Sequence, residues 1–263
     1  MELSVVVLAL LGLAGFGAGF VDAIAGGGGL LTLPSLALAG LDPVAAVATN
    51  KLAGTLGSGS ATLAFWRKGK IEVAMAPSAL AAGAGAALGA LALPSAPRAL
   101  LAQALPIVLI AVALYFAVAP NLSEAQRHAR LRPGLFASTL APAVGFYDGV
   151  FGPGAGSFYM IGFVLLAGFG LTRAMAGSRF ANFGSNLGSL LIYALSGQIL
   201  VPAGLAMGVG AFLGARLGAH AALRHGARLV RPLIVVVSCS MALKLMSAPG
   251  GLFASAWKLA TGG

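Results

Sequence analysis

Charge is what this 263-residue chain has least of: Asp, Glu, Lys and Arg make up 8% of it, and only six residues are acidic. A soluble domain carries about 25% charged residues, so a water-soluble globule is excluded. Cysteine is nearly absent too. Cys239 stands alone in the apolar run from Ile234 to Leu245, so no intrachain disulfide framework exists, and a small packed or lipid-facing role suits it. His128, His220 and His225 have no Cys or carboxylate at ligand spacing, which argues against a metal site. No Ser-His-Asp set or nucleophile elbow can be assembled. The four glycines from Gly26 lack both the Gly-Lys-Ser/Thr of a P-loop and the strand context of a dinucleotide loop. Neither an enzyme nor a cofactor is expected.

What is there is apolar: 59% of the residues, with a mean hydropathy of +0.97. At about 20 residues per crossing the length accommodates roughly eight to ten transmembrane helices and leaves almost nothing for an extramembrane domain. The expected fold is an all-α polytopic membrane protein, multi-pass in the cell (inner) membrane, whose partners are the lipid bilayer and a small solute. Met1-Glu2-Leu3 lacks a positive leader and the apolar run continues past Gly19, so this segment is expected to stay as the first helix. Helices are predicted at 3–21, 28–40, 44–66, 72–93, 99–119, 133–150, 155–170, 174–195, 199–223 and 229–246. The second of each half is short and follows glycines, as in a re-entrant or broken helix, which needs cover by protein or water.

The chain is two copies of one pattern. GFGAGFVDAIAGGGGLLTLP from Gly15 answers VGFYDGVFGPGAGSFYM from Val144, setting Asp22 against Asp148 and the Gly26 run against Gly152, Gly154 and Gly156. Lys51 falls against Arg179, Gly69-Lys70-Ile71 against Gly197-Gln198-Ile199, and Gly85 and Gly89 against Gly214 and Gly218, at an offset of about 126 to 130. Small residues at four-residue spacing let helices approach closely in lipid. Gly210, Gly214 and Gly218 suit internal packing and a homodimer interface equally. The division is 1–119 for the first repeat, 120–132 for a cytoplasmic linker, 133–246 for the second repeat and 247–263 for a tail.

Charge placement orients the halves. The basic loops are Arg67-Lys68-Gly69-Lys70, the segment with Arg127, Arg130 and Arg132, and that with Arg224, Arg228 and Arg231. All three are expected to be cytoplasmic. The counterpart of the first, Ser196-Gly197-Gln198, has no charge, so the bias flips between copies as an inverted-topology repeat of about five helices per half requires. Most of the net +10 is thereby assigned to loops, which leaves no patch for nucleic acid. Arg216 and His220 are expected to snorkel to the interface, with Lys244 at the other face, and Phe65-Trp66 reads as an aromatic anchor.

Within the membrane remain Lys51, Arg179, Asp22 and Asp148, and intramembrane ionisable groups are functional candidates by default. Thr49, Asn50, Ser178, Asn182 and Asn186 supply donors beside the two cations, with Ser58 and Ser185 nearby, and breaks at Gly27, Gly28 and Gly154 expose backbone N–H groups. Two cations among neutral donors suit a small oxyanion: a sulfonate, sulfite or carboxylate. On the other reading Lys51 pairs with Asp22 and Arg179 with Asp148, four charges cancelling to fix the fold. Asp22 and Asp148 are also candidates for ion coupling.

At GFVDAIAGGGGLLTLP, ATNKLAG, FWRKGKI, GFYDGVFGPGAGSF and NFGSNLGSL the chain resembles the TauE/SafE (sulfite exporter type) membrane permease family, its YfcA-like branch most of all. The resemblance implies a secondary carrier of small organic or inorganic sulfur oxyanions, often outward, with the site between the repeats. An uncoupled anion facilitator or channel and a non-transporting membrane scaffold are the alternatives.

Overall fold

The computed structural model describes residues 3–95, 107 and 128–225, and every regular element among them is a helix. The helices expected at 99–119 and 229–246, Arg127, Arg228, Arg231, Cys239, Lys244 and the tail lie outside the described residues.

Helix α1 spans Val5–Ala25, α2 Gly29–Leu38 and α3 Pro43–Arg67. Ser4 starts α1 by accepting from Val7 N (3.3 Å), and Asp42 starts α3 by accepting from Val44 N (3.0 Å) and Ala45 N (3.3 Å), with Pro43 in the first turn where its missing N–H costs nothing. Helix α4, Ala76–Ala92, is flanked by 3-10 turns. The continuous helix expected over 133–150 is instead two, α5 at Pro133–Ser138 and α6 at Leu140–Val150. Pro142 has no N–H for the Ser138 carbonyl one turn back, and the Thr139 hydroxyl caps the Leu135 carbonyl at 2.6 Å. Helix α7 covers Ala155–Leu165, α8 Leu171–Ser196 and α9 Val201–His225.

Both short helices follow glycine hinges. Gly26 (φ +88°) joins α1 to α2, and Gly152 (+95°) with Gly154 (+74°) joins α6 to α7, a left-handed conformation that favours glycine. The two hinges meet: Ser157 Oγ donates to Ala25 O, and a Cβ on Gly29 would lie 3.0 Å from Pro153 Cα.

Contacts between glycines and facing backbones fix the helix directions. On the α1–α9 seam Gly210, Gly214 and Gly218 sit against Gly12, Phe16 and Phe20, rising together, so the two helices are parallel and the stripe on α9 is occupied by α1. On the α4–α6 seam Gly85 and Gly89 sit against Pro142 and Phe146, again parallel. Helix α9 is also parallel to α3 (Gly204 against Leu52, Gly208 against Leu56), and α4 to α8 (Ala79 against Gly184, Gly83 against Gly188). Helices α3 and α8 cross in opposite senses, Gly54 against Asn186 and Gly59 against Phe183. Hence α1, α3 and α9 run one way and α4, α6 and α8 the other.

Among the described residues, three helices are long and apolar enough to cross a membrane: Val5–Ala25, Val73–Ser95 and Val201–Arg224. Helices α3 and α8 are as long, at 25 and 26 residues, but more polar, and they lie at the centre with the apolar helices around them.

Candidate functional site

Lys51 stands about two turns into α3 and Arg179 at the like position of α8. Both are fully buried, and each reaches into the hinge of the other half. Lys51 Nζ donates to Asp148 Oδ1 at 2.7 Å and to the Asp148 carbonyl. Arg179 Nη1 donates to Asp22 Oδ2 at 3.1 Å and to the Asp22 carbonyl, while Nη2 donates to Ser178 Oγ at 2.7 Å. The pairing expected within each half, Lys51 with Asp22 and Arg179 with Asp148, is therefore corrected: the pairs are crossed. The antiparallel crossing of α3 and α8 sets each cation against the opposite hinge, where a Cβ on Gly152 would lie 3.3 Å from Lys51 Nζ and one on Gly26 2.8 Å from Arg179 Nη2.

The remaining carboxylate oxygens are also held. Asp22 Oδ1 accepts from Gly28 N at 3.1 Å, pinning the start of α2, and Asp148 Oδ2 accepts from Ser185 Oγ. Two cations and two carboxylates cancel, so the group is neutral as a whole.

Beside the pairs lies a small cavity of about 40 Å³. At roughly 10–15 Å³ per water on this measure it holds about three waters, or one small polyatomic ion fitted tightly. Asp22, Asp148, Asn50, Asn182, Asn186 and Gly28, all named as candidates from the sequence, line it. Thr32, Ser58, Gly54 and Gly57 complete the polar and backbone surface. Asn50 Oδ1 accepts from Thr32 Oγ1 at 2.5 Å, and Asn186 Nδ2 donates to Asn182 O at 2.8 Å.

Lys51, Arg179, Thr49, Ser178, Gly27 and Gly154 are not on the cavity wall. The cations sit behind the carboxylates. Thr49 Oγ1 accepts from Leu200 N at 3.0 Å and so ties the approach to α9 onto α3. Ser178 Oγ donates to Gly156 O and receives Arg179, which orients the guanidinium. Gly154 caps α7, and Gly27 lies in the first hinge. Thr32 escaped the sequence reading; its signal was a hydroxyl four residues after Gly28, on the face of α2 that meets α3 at Asn50. Of the aromatic anchor, Trp66 is exposed and Phe65 is core.

The family model of the sulfite exporter TauE/SafE matches residues 11–245, which takes in both hinges, both cations and the cavity. The chain belongs to the TauE/SafE family. Curated relatives named as probable membrane transporters match nearly the whole length of the chain. A probable membrane transporter protein ORF9 of a Sinorhizobium species is 48% identical over 249 residues, 94% of this chain and 95% of its own. The probable membrane transporter protein YfcA of Escherichia coli K12 is 45% identical over 230 residues, 87% and 86% of the two chains. A probable membrane transporter protein of Haemophilus influenzae is 41% identical over 247 residues, 94% and 97%. No solved structure matches this TauE/SafE chain.

Proposed function

We propose that this TauE/SafE protein is a secondary carrier of the cell (inner) membrane for a small sulfur oxyanion such as sulfite or a short sulfonate. Its two halves act as inverted repeats around the central cavity. The antiparallel crossing of α3 and α8, with the other helices following suit, supports that relation. The observation that carries the proposal is the pair of crossed ion pairs, Lys51–Asp148 and Arg179–Asp22, beside a cavity lined by three Asn side chains. Amide N–H groups and two nearby cations suit an oxyanion, and the small volume suits a small one.

Because Asp22 and Asp148 are themselves on the wall, an anion placed there meets two carboxylates, and like charges in a medium of low dielectric repel strongly. A proton on one carboxylate lessens that repulsion and releases its cation partner toward the cargo, so cargo and proton load together. Net outward flux follows when the anion accumulates inside. The small volume of the cavity, about 40 Å³, favours a carrier over a wide open channel.

The test is uptake of labelled sulfite into proteoliposomes under an imposed pH difference. Lys51→Ala and Arg179→Ala are each expected to lower the rate at least about tenfold, the equivalent of one hydrogen bond to a charged group. Asp148→Asn is expected to remove the dependence on the pH difference. Unchanged transport in both cation variants would remove these residues from the site, and wild-type flux that ignores the proton gradient would remove the coupling.

A further inference from the structure

Beyond the central cavity, about one turn further along the α3–α9 seam, a second cavity of about 260 Å³ lies between the ends of these helices. Arg67, Lys68, Arg216 and His220 line it together with the apolar Leu63 and Phe212. Among the described residues no carboxylate lines it, and none of the three cations has an ion-pair partner. His220 Nδ1 is 2.7 Å from the Arg216 carbonyl, an acceptor only, which puts a proton on Nδ1 and holds the ring at the cavity wall.

A cationic cavity with an apolar side suits an anion that carries its own apolar body. The outward face of α9 supplies the track for it: Leu205, Val209, Leu213 and Leu217 are exposed, and the stripe ends in His220 and Arg224 at the same three- and four-residue spacing. Trp66, 64% exposed beside Arg67, marks the level of the membrane interface. Basic pockets between membrane helices at that level suit phospholipid head groups. We infer that the Arg67–Lys68–Arg216–His220 cavity binds the phosphate of an anionic phospholipid, whose acyl chains lie along the α9 stripe.

Native mass spectrometry of the purified protein, titrated with phosphatidylglycerol or phosphatidylcholine, tests this. Phosphatidylglycerol is expected to be retained in preference to phosphatidylcholine. Arg67→Gln with Arg216→Gln is expected to weaken retention about thirty-fold, two basic contacts being lost. Arg130→Gln with Arg132→Gln, equal in charge removed, stays within about twofold of the parent, and Arg67→Lys with Arg216→Lys keeps the preference. Equal weakening by the two Gln pairs, or no lipid preference in the parent protein, overturns the proposal. Displacement of phosphatidylglycerol from the parent by millimolar inorganic phosphate also overturns it, because the site would then be one for a free anion.

Discussion

Lys51 and Arg179 are each surrounded by protein, with the carboxylate partner no more than 17% exposed. Removing one member of a buried pair leaves a charge with no solvent and no partner, at a cost of about 3–5 kcal/mol, whereas removing both members together is often near neutral. Lys51→Met alone is therefore expected to lower the thermal unfolding temperature in detergent sharply. Lys51→Met with Asp148→Asn should recover most of that loss while transport stays at least about tenfold below the parent. A double variant as unstable as the single one would show that Lys51 holds the fold by packing rather than by charge. All four ionisable residues were legible in the sequence as charges that do not belong in a membrane, and so were three of the amides beside them. Their pairing was not. It depends on how α3 crosses α8, a long-range relation that no local spacing encodes.

Helix starts are set locally, by Ser4 for α1 and Asp42-Pro43 for α3, and the starts predicted at 3 and 44 fall within two residues of Val5 and Pro43; glycine runs announce the two hinges. The break at Thr139 was missed because the apolar pattern runs through it and only the missing N–H of Pro142 interrupts the ladder. The glycine pairs seen in both halves turned out to have one use, close contact of parallel helices. At Gly214 an added Cβ would collide with the Phe16 carbonyl, and at Gly85 with that of Pro142, and backbone atoms give way poorly. Gly214→Ala and Gly85→Ala are accordingly expected to destabilise by about 1–3 kcal/mol each, as overpacking does. Gly17→Ala, on α1 but with nothing within 4 Å of the new Cβ among the described residues, is expected to be near neutral. Thermal scanning of the three purified variants decides this, and equal melting of Gly17→Ala and Gly214→Ala would refute the seam as the cause.

Across the whole molecule the helix directions and the charges tell the same story. Arg67 and Lys68 end α3, Arg130 and Arg132 precede α5, Arg173 opens α8, Arg216 lies in the C-terminal half of α9 and Arg224 ends it. With α3 and α9 running one way and α4, α6 and α8 the other, all of these fall at one end of the bundle. There Arg173 also pairs with Glu72 at 2.6 Å, just before α4. The opposite end has, among the described residues, only Asp42, which is engaged in capping α3. Lys68 and Ser196 stand at like places in the two copies, yet at opposite ends of the bundle, and both are exposed. Basic loops stay in the cytoplasm, so Ser196 is on the outer side if the halves are inverted in the membrane. In a Cys239→Ser background, a membrane-impermeant maleimide is expected to label Ser196→Cys in intact cells. Lys68→Cys should be labelled only after the membrane is opened. Two parallel halves would put both sites on one side and label them alike, an outcome that would also leave the crossed ion pairs without a symmetry to explain them.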